Sequence, residues 1–334
     1  MKNLNVLGVC AGGGALLHPF LKNHRVIANV EPRHHFHYRD DQQWKLNFRD
    51  IPFVRAFNLS WNPDIIVGSP DCGANSVMRL SKVKVLGDSK DNDSINLYLW
   101  SILNYKPKVF LLENLPRLVP TLKEIWDNMA KDYDLVFHTT SVIDFGNSQK
   151  SRVRSIIIGI KKDNSGYSKN NFNKIFQVTN PKVTKELLHG IYKSDPSNYA
   201  IPKNKVLAMY DYRNLPDKKN LTVRQIKRLW IGDFKEEYKW PIKQKKMHTL
   251  PGVYRLREDQ YPLTVRPADR QFRPDGYPLG IKDIKSIMGF PNKFKVYIDP
   301  DNYLTTINKA RYTLAKGSVY EVGQWFLKCL ESSR

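Results

Sequence analysis

The sequence predicts an α/β protein with a Rossmann-like, doubly wound, mostly parallel sheet and a smaller irregular domain. Three observations carry this. Apolar strand-like runs recur through the first half. Helix-like stretches separate several of them. After about residue 161 the texture breaks into short elements rich in Lys, Arg, Tyr and Trp. Alternation of strands and helices builds a parallel sheet covered on both faces, and ligands of such sheets sit beyond the carboxyl ends of the strands.

The strand-like runs are Asn5–Val9, Arg25–Val30, Asp64–Val67, Lys108–Leu112, Leu135–Thr139 and Ser155–Ile160. Helical stretches are expected at Ser94–Tyr105 and Thr121–Lys131. A first domain is expected over residues 1–163 and a second over 164–275. Residues 276–334 would return to the first, through "GIKDIKSIMGFPNKF" and a last helix around Tyr320–Leu330. No internal repeat or low-complexity tract is evident.

The 334 residues carry 54 Lys and Arg against 32 Asp and Glu, a formal net charge of +22. Such an imbalance favours a polyanionic partner, and basic residues interleaved with aromatics suit contacts to both phosphates and bases. Three cysteines in a chain this long do not make a disulfide framework, so a reduced, intracellular protein is expected. No apolar run has transmembrane length, and no signal-peptide core is visible at the N-terminus.

The strand ends carry the candidate chemistry. After the first strand comes "VCAGGGALLHPFL", whose three consecutive glycines permit a tight turn and close approach to a ligand. Glu31 follows the second strand and could accept from ribose hydroxyls. Asp50, placed after a poorly marked third strand, could serve an adenine amino group. Each of these alone is also a plausible surface carboxylate. In "DIIVGSPDCGANS" a cysteine, Cys72, sits on a turn behind Asp71. "KPKVFLLENLPRL" ends a strand in Glu113-Asn114, and in "FGNSQKSRVRSIIIGI" the alternation of Arg152 and Arg154 could aim both guanidiniums at one site. A cysteine, a carboxylate and paired arginines at the ends of one sheet suggest nucleophilic catalysis on a polar, planar substrate.

The order of these pieces resembles the DNA cytosine-5 methyltransferases. "GSPDCGANS" resembles Gly-Gly-Pro-Pro-Cys-Gln-x-Phe-Ser, "LLENLPRL" the Glu-Asn-Val motif, and "SQKSRVR" Gln-x-Arg-x-Arg with one extra residue. "LGIKDIKSIMGFPNKF" resembles the motif before the final helix, and "LAKGSVYEVGQW" resembles Gly-Asn-Ser-Val. The sequence departs from the family where Gly8 replaces an aspartate, Cys10 a phenylalanine and Asp71 a proline. Pro32 stands where the family often has an apolar or aromatic contact to adenine, and the last motif lacks its asparagine.

The resemblance implies that Cys72 is a nucleophile that adds to carbon 6 of a flipped-out cytosine. Glu113 would contact the N3 edge, and Arg154 with Arg152 would hold O2 and the Cys72 loop. Ser69, Asp71, Ser76, Asn114 and Gln149 would line the base. S-adenosylmethionine would be held by Cys10, Ala11, Gly12, Gly13, Gly14, Glu31, Pro32, Asp50, Ile51, Pro70, Leu97, Lys316, Gly317, Ser318 and Val319, with no metal. The Asp71 side chain is expected to point away from the thiol, because a nearby carboxylate would raise the thiol pKa. The partner implied is double-stranded DNA. A monomer without membrane association is expected, in the cytoplasm of a bacterial or phage-infected cell. Three alternatives stay open: an RNA cytosine-5 methyltransferase, a non-catalytic DNA-binding relative, and a carboxymethyltransferase using carboxy-S-adenosylmethionine. The last rests on Lys316, whose ammonium would disfavour a sulfonium but pair with a carboxylate on the transferred carbon.

Overall fold

The computed structural model describes residues 3–31, 51, 53–54, 57–70, 93–163, 165–192, 253–265, 270–272, 279–291, 294, 314–315 and 317–332. Seven strands form one sheet: β1 (Asn5–Val9), β2 (Arg25–Val30), β3 (Phe53–Val54), β4 (Ile65–Gly68), β5 (Val109–Asn114), β6 (Tyr133–Ser141) and β7 (Val153–Lys161). Their order is β3-β2-β1-β4-β5-β7-β6. The first five pair in parallel, while β7 runs antiparallel to both β5 and β6. This is the doubly wound, mostly parallel sheet expected. The chain order reverses beside β1, which puts the crevice at the carboxyl ends of β1 and β4.

Period-two alternation divides each strand between two cores. Val6, Ile65, Val67, Val109, Leu111, Ile156 and Ile158 face one layer. Leu7, Ile66, Phe110, Leu112 and Ile157 face the other. Burial on both faces turns these strands into continuous apolar runs. On the first face lies the last helix, here α6 (Tyr320–Ser332), which buries Val322, Trp325, Phe326, Cys329 and Leu330. Complete burial of one such phenylalanine contributes about 1.5–3 kcal/mol. On the second face lie α1 (Asp93–Tyr105), with Ile95, Tyr98, Leu99 and Ile102 inward, and α3 (Lys123–Met129), with Trp126 and Met129 inward. The Tyr98 hydroxyl donates to Leu111 O at 2.7 Å, and burial holds its pKa well above the usual range.

The helix expected over Thr121–Lys131 is interrupted. A short α2 (Leu118–Thr121) contains Pro120, and the chain leaves helical geometry at Leu122 before α3 begins. The third strand also differs from expectation: β3 pairs Asn29 with Phe53 and Val30 with Val54, so Asp50 precedes it in sequence rather than following it. Between β6 and β7 the chain reverses through a 3-10 turn, Val142–Phe145. Ser141 Oγ caps its start, and Gly146 in the left-handed region ends it.

The shared core continues past residue 164, where the second domain is expected to begin. Phe172 is fully buried in the first core, and Lys174 O accepts from Trp325 Nε1 at 3.2 Å. α4 (Thr184–Tyr192) follows and buries Leu188 there. Two short parallel strands, β8 (Val253–Arg255) and β9 (Arg270–Phe272), form a separate sheet, and α5 (Ile281–Ile287) returns to the core through Ile284 and Ile287. Among the described residues no helix is long and apolar enough to cross a membrane.

Candidate active site

The carboxyl ends of β1 and β2 shape one wall. Cys10 takes φ 55 and its N–H donates to Val30 O at 2.8 Å, which turns the chain out of the sheet. Gly12 and Gly14 follow at φ 58 and 77, conformations that glycine adopts without penalty. The turn closes with Gly14 N–H on Ala11 O at 3.1 Å. Asn29, fully buried on β2, holds it from below. Its Oδ1 accepts from Ala11 N at 3.2 Å, and its Nδ2 donates to Gly12 O at 3.3 Å and to Glu31 Oε1 at 3.0 Å. Glu31 Oε1 also accepts from Gly12 N at 2.6 Å, so the carboxylate expected to meet a ribose organises the glycine turn as well.

Residues from the far end of the chain complete this wall. A side-chain carbon on Gly12 would stand 3.1 Å from Gly317 Cα. Ser318 and Val319 are buried, and Ser318 Oγ has no hydrogen-bond partner among the described residues. Ile51 is buried over the turn, its Cδ1 2.9 Å from where a side chain on Gly14 would begin. Leu97 packs, partly buried, among the second-core residues of α1. Glycine backbone, apolar cover and a buried hydroxyl without a partner fit a nucleoside-bearing sulfonium such as S-adenosylmethionine. Among the described residues no group of three His, Cys, Asp or Glu is placed to hold a metal.

The ends of β4 and β5 shape the opposite wall. Glu113 is 2% exposed. Its Oε1 lies 2.9 Å from Arg154 Nε, and Ser69 Oγ donates to its Oε2. Oε1 receives no aligned hydrogen bond, so the arginine contact is an ion pair without a bidentate clamp. Antiparallel pairing of β5 with β7, Glu113 opposite Ile156 and Asn114 opposite Ser155, brings Arg154 to this edge. Asn114 Nδ2 donates to Pro70 O at 3.1 Å, and Ser69 N–H donates to Cys10 O at 3.2 Å, which ties the two walls together.

The two arginines do not share a target. Arg154 pairs with Glu113. Arg152, 3% exposed, instead donates from Nη2 to Gly317 O at 2.7 Å and from Nη1 to Val265 O at 3.3 Å. The alternation about Val153 is present, but the carbonyls of Gly317 and Val265 capture the first guanidinium. Gln149, expected at the base, bonds within the protein. Its Oε1 accepts from Val265 N at 2.9 Å, and its Nε2 donates to Asn147 Oδ1 at 3.1 Å and Ile287 O at 3.3 Å. Asn147 Nδ2 donates to Ile287 O at 3.0 Å and to Glu321 Oε2 at 2.9 Å. Burial pushes the Glu321 carboxyl up to about 7, against the opposing effect of the Asn147 hydrogen bond.

Six expected site residues, Pro32, Asp50, Asp71, Cys72, Ser76 and Lys316, lie outside the described residues. Sequence reading missed Asn29, Asn147 and Glu321. The visible signal for Asn29 was a polar residue inside an apolar strand, and for Glu321 an acid on the buried stripe of the last helix.

The sequence profile of the C-5 cytosine-specific DNA methylases matches residues 4–307. A provisionally named type II methyltransferase of Oceanobacillus iheyensis, M.OihORF3336P, is 32% identical over 157 residues, 34% of this chain and 34% of its own. The type II methyltransferase M.Bpa9945I of Bacillus paralicheniformis is 24% identical over 292 residues, 80% of this chain and 60% of its own. The matches thus span about a third and three fifths of these two curated relatives. A crystal structure of a provisionally assigned DNA modification methyltransferase, encoded within an E. coli prophage, superposes with a TM-score of 0.64. It covers 99% of each chain at 17% identity, a likeness of fold. With the profile matched over nine tenths of its length, the chain belongs to the C-5 cytosine-specific DNA methylase family.

Proposed function

We propose that the protein transfers a methyl group to carbon 5 of a flipped-out cytosine in double-stranded DNA, through a covalent adduct on Cys72. The observation that carries this is Glu113, buried between Arg154 and Ser69 at the edge where the strand before Cys72 meets the glycine-turn wall.

Carbon 5 of cytosine is a weak nucleophile. In this reading the Cys72 thiolate adds to carbon 6 while Glu113 serves N3 with a proton, leaving an enamine nucleophilic at carbon 5. S-adenosylmethionine, held by the Gly12–Gly14 turn, Glu31 and the Gly317–Val319 turn, supplies the electrophilic methyl. Loss of the carbon-5 proton to a base then expels the thiolate and restores the aromatic ring. Arg154 supplies the cation beside Glu113, and Arg152 braces the donor wall through Gly317 O. Extrusion of the base costs a few kcal/mol. Basic contacts from residues 164–275, taken as a target-recognition domain, would offset it. Residues 276–334 then close the donor wall. The protein is taken as a monomer in the cytoplasm of a bacterial or phage-infected cell. Carboxymethyl transfer turns on Lys316, which lies outside the described residues; membership of the methylase family supports methyl transfer.

The test is incubation of the full chain with S-adenosylmethionine and either unmodified duplex DNA or transfer RNA, read by nucleoside mass spectrometry. The expected product is 5-methylcytosine in DNA. Cys72→Ser should abolish it while DNA still binds, and DNA carrying 5-fluorocytosine should trap an adduct on Cys72. Product in RNA alone, a carboxymethyl product from carboxy-S-adenosylmethionine, or an adduct on Cys10 or Cys329 would each overturn this reading.

A further inference from the structure

Ser69 follows β4 directly and is fixed from both sides. Its N–H donates to Cys10 O at 3.2 Å, while its hydroxyl donates to Glu113 Oε2. The next residue, Pro70, accepts from Asn114 Nδ2 at 3.1 Å. Two consecutive residues at the end of β5, Glu113 and Asn114, therefore grip two consecutive residues after β4, and Cys72 follows two positions later in sequence. The bond from Ser69 is the one aligned hydrogen bond that Glu113 receives among the described residues, since Oε1 has only the ion pair at 2.9 Å.

Rotation about the last side-chain torsion of glutamate is soft and broadly two-fold. An ion pair with one guanidinium nitrogen attracts the carboxylate but leaves its plane poorly defined. A hydroxyl bound to the other oxygen defines it. Ser69 is half-buried and could direct its hydroxyl to water, yet it directs it to the acid.

We infer that Ser69 is a positioning residue for Glu113: its hydroxyl sets the plane of the carboxylate, and it makes the aim of the acid depend on the seating of the segment that leads into the nucleophile. This rests on the proposed reaction and deepens it. Glu113 can present an oxygen to the N3 edge of the base only while Ser69 stands against Cys10 O. Misseating of that segment would turn the acid and disable the site before the thiolate commits.

The test uses the full chain in single-turnover methyl transfer on duplex DNA. Ser69→Ala should slow the transfer step by about 10- to 100-fold, the span of a hydrogen bond to a charged group. Donor KM and DNA affinity should change by less than about twofold. Ser69→Thr, which keeps the hydroxyl, should restore most of the rate. A double-mutant cycle of Ser69→Ala and Glu113→Gln in chemical unfolding reads the contact independently of activity, and non-additivity is expected. Additive effects in that cycle overturn the inference. So does a Ser69→Ala rate equal to wild type, or a Ser69→Thr variant as slow as Ser69→Ala. A wild type that neither transfers methyl nor traps 5-fluorocytosine refutes the proposed reaction itself. An active wild type indifferent to Ser69 refutes this inference alone.

Discussion

The two walls of the site are built from different materials. The donor wall is shaped by backbone: Gly12 against Gly317, and a neutral amide, Asn29, divided among Ala11, Gly12 and Glu31. The base wall is built from charge: Glu113 and Arg154 paired in a buried place, with Ser69 as a neutral donor to Glu113. In the proposed reaction the first wall holds the donor by the fit of its backbone, with Glu31 as its carboxylate. In that reaction the second moves protons, and among the described residues one of its carboxylate oxygens, Glu113 Oε1, receives no aligned hydrogen bond. Damage to the first should therefore appear as lost donor affinity, and damage to the second as lost turnover and a charge left unpaired.

The largest expected effect lies on the base wall. Arg154→Ala strands the Glu113 carboxylate without its cation, which should cost about 3–5 kcal/mol in chemical unfolding. Adding Glu113→Gln should recover much of that stability but none of the methyl transfer. Recovery of both would show that the pair is only structural. On the donor wall, Asn29→Ala leaves the Ala11 N–H and Gly12 O without their partner and should cost about 1–3 kcal/mol. Calorimetry should show weakened S-adenosylmethionine binding with the DNA affinity intact. Gly12→Ala forces a side chain into the left-handed region at about 1–2 kcal/mol, and its side-chain carbon would press on Gly317 Cα at 3.1 Å. Gly317→Ala meets nothing nearer than 3.4 Å and should be the milder of the two in the same titration. Equal losses would break the picture of a one-sided close approach. The smallest effect is a slope. Burial raises the Glu321 carboxyl from its ordinary 4.5 to about 7, so the folded state holds its proton more tightly than the unfolded one. The stability this group contributes is full below about 4.5 and is lost as pH rises through about 7. Glu321→Gln should flatten the melting temperature across that window.

Much of the sheet was legible because central strands buried on both faces form nearly continuous apolar runs. β3 was poorly legible, since two residues paired only to β2 leave almost no pattern. Glu113 and Arg154 could be read in the same way, as charged residues at the ends of apolar strands. Arg152 shows the limit: period two gives the face of a side chain but not its partner, and Gly317 O is 165 residues away. Asn147 and Glu321 meet across 174 residues, and nothing in the sequence near either one announces the other. Gln149 looked like a base contact because its motif is adjacent to one, whereas the structure gives it to Val265, Asn147 and Ile287.

The approach of Gly12 to Gly317 also sets the order in which the protein becomes competent during its own synthesis. The ribosome delivers the turn that abuts the glycine turn about three hundred residues after it. Domains generally fold as units during synthesis, so the glycine turn waits for its second side. A chain arrested before Gly317 would lack both the carbonyl that Arg152 holds and the buried Ser318. The close approach of the two glycines therefore ties the donor wall to chain made about three hundred residues after the glycine turn.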